Sequence, residues 1–139
     1  MKIFLDTNIL VDLIADRKPF SKQAIEIFSS AEKNKTQLFT SSHSVATTHY
    51  LLKKYVDEKE LREIICNLLE FLTVISVDVD ILKKGLRSNH RDFEDAIQIF
   101  CATTVSGLNF IVTRNSKDFK TSEIPVLTPD EMCLKLNSF

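Results

Sequence analysis

Glycine and proline are scarce in this sequence, at two and three of 139 residues. A chain so poor in turn and linker formers has little room for a hinge. Its length is that of one compact domain with a proper core, so residues 1–139 are expected to form a single unit. Cysteine is also sparse. Cys66, Cys101 and Cys133 are odd in number, widely spaced and each set inside an apolar helical pattern. That excludes a disulfide framework or a zinc site and reads as small buried hydrophobes in a reducing compartment. No run approaches the roughly 18 apolar residues of a membrane span. The apolar start is broken by Asp6, too soon for a secretory signal, so a cytoplasmic protein is expected. An excess charge of one sign is missing too: 18 Lys and Arg against 19 Asp and Glu leave a formal net charge of -1. The surface as a whole is therefore no general polyanion binder, although a local basic rim around an acidic site remains compatible. With 44% apolar residues, the chain belongs with ordinary globular proteins.

Short β-branched or aromatic runs occur at Lys2–Leu5, Gln37–Thr40, Val74–Val77, Asn109–Thr113 and Pro125–Leu127. Between them lie segments with helical spacing: one directly behind Asp6, then Ser21–Lys33, Ser44–Tyr55, Glu58–Leu72, Asp78–Leu86, Phe93–Val105 and Pro129–Leu136. Gly107 follows the Phe93–Val105 pattern as a C-terminal glycine would, and Thr128-Pro129-Asp130-Glu131 has the composition of a helix start. Strands alternating with helices predict an α/β/α sandwich around a mostly parallel sheet. Two successive helices within Ser44–Leu72 suggest a helical arm, whose apolar stripe could meet a second subunit or the chain's own core.

Acidic side chains gather at the ends of these elements. Lys2-Ile3-Phe4-Leu5-Asp6-Thr7-Asn8 is a strand that delivers a carboxylate at its carboxyl end, where ligands bind in such sheets. Asp6 or Thr7 could equally serve as a helix cap. Arg91-Asp92-Phe93-Glu94-Asp95-Ala96 opens the most apolar helix of the chain. Asp92 and Asp95, three apart, are expected to share a face, with Glu94 pointing elsewhere. Acids in a first turn favour the helix dipole by about 0.3–1 kcal/mol, which explains one or two of them but less readily three. Ile111-Val112-Thr113-Arg114-Asn115-Ser116-Lys117-Asp118 is again a strand followed by polar side chains, bringing Asn115 toward Asp6 if the strands are neighbours. A turn would account for Asn115 and Asp118 as well. Two carboxylates about 4 Å apart repel by roughly 4 kcal/mol at an effective dielectric near 20. Either one carries a proton or a cation sits between them. Oxygen ligands with few histidines suit Mg²⁺ or Mn²⁺ rather than zinc.

The three motifs, Phe4-Leu5-Asp6-Thr7-Asn8, Asp92-Phe93-Glu94-Asp95-Ala96 and Val112-Thr113-Arg114-Asn115-Ser116-Lys117-Asp118-Phe119, together resemble a PIN domain. The resemblance covers nearly the whole chain, and the VapC-like ribonuclease toxins of toxin–antitoxin pairs are the nearest flavour. It implies an α/β/α sandwich and Mg²⁺- or Mn²⁺-dependent cleavage of single-stranded or looped RNA. Carried over by motif, Asp6, Asp95 and Asp92 would be metal ligands, Asn115 would stand where many members have a further acid, and Asn8 would support the Asp6 loop. An antitoxin and a second copy of the chain are the implied protein partners.

One departure stands out. Many members carry a glutamate in the helix after the second strand, whereas Ser41–Tyr50 here contains no acid and Thr47 is the best match for that position. Fewer carboxylates point to one ion rather than two, with Thr47 able to orient a water molecule. His43 and His49 fall near the site. Arg91, Arg114 and Lys117 could line its rim and hold RNA phosphates, with Asn8 and Thr47 also expected to contact the RNA. Phe20, Phe71 and Phe100 lie on apolar faces and read as core. The competing readings are a catalytically weak or inactive PIN-like module that binds RNA or a protein, and a phosphatase with Asp6 as nucleophile. The last is disfavoured because such sites place a second Asp two residues on, where this chain has Asn8.

Overall fold

The computed structural model describes residues 1–138. Its elements follow in the order β1 (Lys2–Leu5), α1 (Thr7–Ala15), α2 (Ser21–Glu32), β2 (Gln37–Ser41), α3 (Ser42–Leu52), α4 (Glu58–Leu68), β3 (Leu72–Ile75), α5 (Val79–Arg87), α6 (Phe93–Thr103), β4 (Phe110–Val112), a 3₁₀ turn (Ser116–Phe119), β5 (Val126–Leu127) and α7 (Pro129–Leu136). The described strands form one five-stranded sheet in the order β3-β2-β1-β4-β5, with every pairing parallel.

Alternation along β1 divides the core. Ile3 and Leu5 point to one face of the sheet, where they meet Ile9 and Leu10 of α1, Ala24 and Ile27 of α2, and Met132 of α7. Phe4 points to the other face, together with Phe39 and Ile111, against Ile81 of α5 and Ile97 and Cys101 of α6. Two apolar layers of helices on a sheet buried from both sides give the three-layer α/β/α sandwich that the alternation of elements predicts. A smaller cluster of Val11, Leu52 and Leu61 joins α1, α3 and α4. Thus α3 lies against α1, and the pair α3–α4 flanks the sandwich more than it projects from it.

Several boundaries differ from the pattern. The third strand starts at Leu72, two residues before Val74, because Leu72 pairs with Leu38 and is buried in the first core layer. Leu72 is also in phase with the helix before it, so periodicity alone extends that helix too far. Helix α6 ends at Thr103 with Thr104 as its cap, two residues before the expected Val105. Gly107, at φ 73, takes its left-handed conformation in the turn that follows and is not the helix's own C-terminal glycine. At α7 the Thr128 side chain accepts from the Glu131 N–H while Glu131 reaches back to Thr128, a complete capping box. Cys101 and Cys133 are buried, whereas Cys66 is exposed on α4. Phe20 and Phe71, expected in the core, are 40% and 44% exposed; α4 buries only Leu61, leaving the turn behind it open to water.

The strand order reverses direction between β1 and β4: the chain leaves β1 toward β2 and β3, then returns to β4 and β5 on the other side. At such a point the connections diverge and leave a crevice at the carboxyl ends of the strands. Asp6 ends β1 and Thr113 follows β4, so both stand in that crevice.

Candidate functional site

Asp6 is 7% exposed, and the backbone around it explains how a carboxylate tolerates that position. Its N–H donates to the Val112 carbonyl, continuing the β1–β4 ladder, and its side chain caps α1 through the Thr7 N–H at 2.8 Å. Oδ1 also accepts from Nε2 of Gln98 at 3.0 Å, and Oδ2 accepts from the Thr113 hydroxyl at 2.8 Å and from Nδ2 of Asn8 at 3.4 Å. These four donors offset the desolvation of the carboxylate. Capping and site-building are one arrangement here, since the cap leaves the carboxylate at the floor of a cleft.

The cleft has a volume of about 230 Å³, and Asp6, Asn8, Thr47, Asp95 and Asn115 all line it. The structure therefore brings together five of the residues singled out in the sequence. Asp95, in the first turn of α6, feels the concentration of negative charge most. Burial, and then the charges of Asp6, Asp92, Asp118 and Glu94, push its carboxyl up to about 7.

The remaining candidates stand differently. Asp92 caps α6, accepting from the Asp95 N–H at 3.0 Å, and does not line the cleft. Glu94, expected to point away, does line it. Arg91 and Lys117 are exposed at the start of α6 and in the 3₁₀ turn, outside the cleft lining. Arg114 is turned toward α1: Nε and Nη2 donate to Oδ2 and Oδ1 of Asp12 at 2.7 and 3.2 Å, and the guanidinium lies over the Phe20 ring at 4.1 Å. That fork is taken by a buried carboxylate, so the rim is without the guanidinium that the sequence reading assigned to it. The Arg114 backbone N–H donates to Oδ1 of Asn8, tying the loop after β4 to the start of α1.

Sequence reasoning missed several residues. Asp12, 1% exposed, was hidden in an apolar helical stretch; only its register with the buried face could have flagged it. Gln98, three residues after Asp95, was passed over among apolar neighbours. Arg17 in the loop after α1 also reaches the cleft, and so does His43 on α3, which the sequence had placed near the site. Nε2 of His43 lies 3.8 Å from Glu94 and 3.5 Å from the Thr47 hydroxyl, whereas His49 is 2.9 Å from Glu58 on α4.

Fold and site together define an α/β/α sandwich protein with an acidic cleft above the point where its parallel sheet changes direction. A sequence profile described as the PIN domain matches residues 2–117, and the chain belongs to the PIN domain family. It is 32% identical over 142 residues to a protein of Aquifex aeolicus named Ribonuclease VapC1, covering 99% of this chain and 96% of that one. Among solved structures it is similar to a toxin–antitoxin complex from Klebsiella pneumoniae, at 28% identity and a TM-score of 0.64, over 91% of this chain and 97% of that one. VapBC-1 from nontypeable Haemophilus influenzae shares the fold at 19% identity and a TM-score of 0.64, over 94% and 99% of the two chains.

Proposed function

We propose that this chain is a single-domain, Mg²⁺- or Mn²⁺-dependent endoribonuclease that cuts single-stranded or looped RNA, acting as the toxin of a toxin–antitoxin pair. One observation carries the reading. Asp6 and Asp95, far apart in the chain, meet in one cleft, where burial and then the gathered negative charge push the Asp95 carboxyl up to about 7. Such an acidic well is relieved by a cation.

The donor set suits a hard divalent ion. Among the described residues no group of three or more His, Cys, Asp and Glu is placed to hold a metal ion alone. Asp6 and Asp95 would hold it, helped by neutral oxygens of the Asn8 or Asn115 type and by water, as Mg²⁺ tolerates. When bound, the ion supplies a Lewis acid that lowers the pKa of water and takes up charge in an in-line displacement at phosphorus. The residues of the chain do the rest. The four donors around Asp6 fix its oxygens, and Thr47 offers a hydroxyl for a water molecule or a phosphate oxygen. Arg17 in the cleft, with Arg91 and Lys117 beside the acidic helix, provides cations for the RNA backbone. Asp92 and Glu94 add negative charge around Asp95.

The names of the relatives support the same assignment: one is a ribonuclease, and the structural neighbours include toxin–antitoxin complexes. A cytoplasmic location, an antitoxin partner and a homodimer belong to this reading. Among the described residues no helix is long and apolar enough to cross a membrane. The second reading is a catalytically weak or silent module that binds RNA or a protein, and it is favoured by one feature, the lack of an acid on α3 where Thr47 faces the cleft.

The test is a labelled RNA incubated with the pure protein, with and without Mg²⁺ or Mn²⁺, beside Asp6→Asn. Cutting that needs the metal and disappears in the variant is the expected result. Retention of RNA without cutting at any metal concentration would establish the second reading instead.

A further inference from the structure

The acid missing from α3 raises a physical question: what links that helix to Asp6? The described structure contains a chain of hydrogen bonds that does so without adding charge. Ser41 caps α3, its Oγ accepting from the Ser44 N–H at 3.0 Å. Its one hydroxyl hydrogen has two acceptors in reach, Oε1 of Gln98 at 2.5 Å and Oγ of Ser44 at 3.1 Å, and the nearer is the Gln98 carbonyl oxygen. The carbonyl end of the Gln98 amide is thereby turned to α3. Its Nε2 faces the other way and donates to Oδ1 of Asp6 at 3.0 Å and to Oγ of Ser44 at 2.6 Å. Oγ of Ser44 in turn shares a hydrogen bond of 2.8 Å with the Thr7 hydroxyl, beside the Asp6 cap.

Ser41, Ser44 and Gln98 are all buried, Gln98 to 2% exposure, and every donor of the Gln98 amide is used. A flipped amide would set its carbonyl oxygen against the Asp6 carboxylate, so one orientation is strongly preferred. Buried networks of this kind are costly if half satisfied and hold their members rigidly when complete. An apolar side chain at 98 would leave Asp6 short of a donor and Ser41 without its nearest acceptor.

We propose that Gln98, oriented by Ser41, is a positioning residue for Asp6: a neutral relay that fixes the carboxylate for a divalent ion from the side of α3. The inference rests on the metal-dependent reading of the site given above. Groups that orient a ligand from behind typically change metal affinity or activity by about 10- to 100-fold when removed.

The test compares the full-length chain with Gln98→Met and Ser41→Ala. Circular dichroism checks the fold, electron paramagnetic resonance measures Mn²⁺ affinity without RNA, and kcat and KM are taken on a labelled RNA. In Gln98→Met, Mn²⁺ affinity and kcat should each fall by about 10-fold or more, with KM for RNA unchanged. Ser41→Ala should show a smaller change of the same pattern, and the double variant should be no worse than Gln98→Met alone, because both act along one path. A folded Gln98→Met with the parent's Mn²⁺ affinity and kcat would overturn the relay. So would a change confined to KM. If Gln98→Met does not fold, Ser41→Ala decides by the same readings. A parent chain that neither binds Mn²⁺ nor cuts RNA would instead remove the metal-dependent reading, and the relay would fall with it.

Discussion

Replacing Asp95 by Asn should stabilise the metal-free protein, even though the side chain belongs to the cleft. In the folded chain burial comes first, then the charges of Asp6, Asp92, Asp118 and Glu94, and together they raise the Asp95 carboxyl to about 7 from an ordinary 3.8. Between those two values the folded state holds a proton that the unfolded state has released, so stability falls as the pH rises through the window. Below it both states are protonated and there is no penalty; above it the penalty is complete. At about 1.4 kcal/mol for each pH unit of difference, the upper limit is about 4 kcal/mol. Asp95 is only partly buried, and screening by water reduces this to about 2 kcal/mol. Asn has nearly the same shape and no charge. Urea unfolding followed by circular dichroism, with chelator present, should find Asp95→Asn more stable by about 2 kcal/mol at pH 8.5 and about equal at pH 4. Mn²⁺ at ten times its dissociation constant should then stabilise the parent by about 1.4 kcal/mol and the variant much less, narrowing the gap. A variant less stable than the parent at pH 8.5, or a difference that ignores pH, would refute the account of a charge-strained cleft.

Two further substitutions test the frame around the site. Arg114→Met leaves Asp12 as a buried charge without its partner, and urea unfolding should register a loss of about 3 kcal/mol, at the low end for a broken buried pair because Arg114 keeps some contact with water. Thr128→Ala removes the capping box of α7, far from the cleft, and should lower stability by about 1 kcal/mol in the same assay while RNA cutting stays as in the parent.

Much of the fold could be read from pattern. The local signal Thr128-Pro129 marked a helix start well, because caps depend on neighbouring residues alone. Gly107, by contrast, takes a left-handed conformation three residues beyond the Thr104 cap of α6 and so marks its end less closely. The apolar run of α6 likewise announced a buried helix, and on α2 Ala24, Ile27 and Phe28 turn inward while Ile25 faces water. The edges of β3 and α4 were less legible: Leu72 satisfies both a helical stripe and a strand, and its pairing with Leu38 decided between them. The same division runs through the site. Asp6, Asp95 and Asn115 declared themselves by standing at element ends, where side chains project beyond the sheet. Glu94, Arg114 and Gln98 did not, since helix phase and the approach of a neighbouring element determine where each points.

The order of residues alone thus determined the kinds of elements, their sequence along the chain and the carboxylates that end them, because propensity, capping and periodicity act over a few residues. Only the tertiary structure decided which polar groups meet: that Arg114 turns to Asp12, that Glu94 enters the cleft, that Ser41 meets Gln98 and that Gln98 reaches Asp6. The hydrogen-bonded pairs Ser41–Gln98, Gln98–Asp6 and Arg114–Asp12 lie 57 to 102 residues apart in the chain, and only packing on the sheet brings them together.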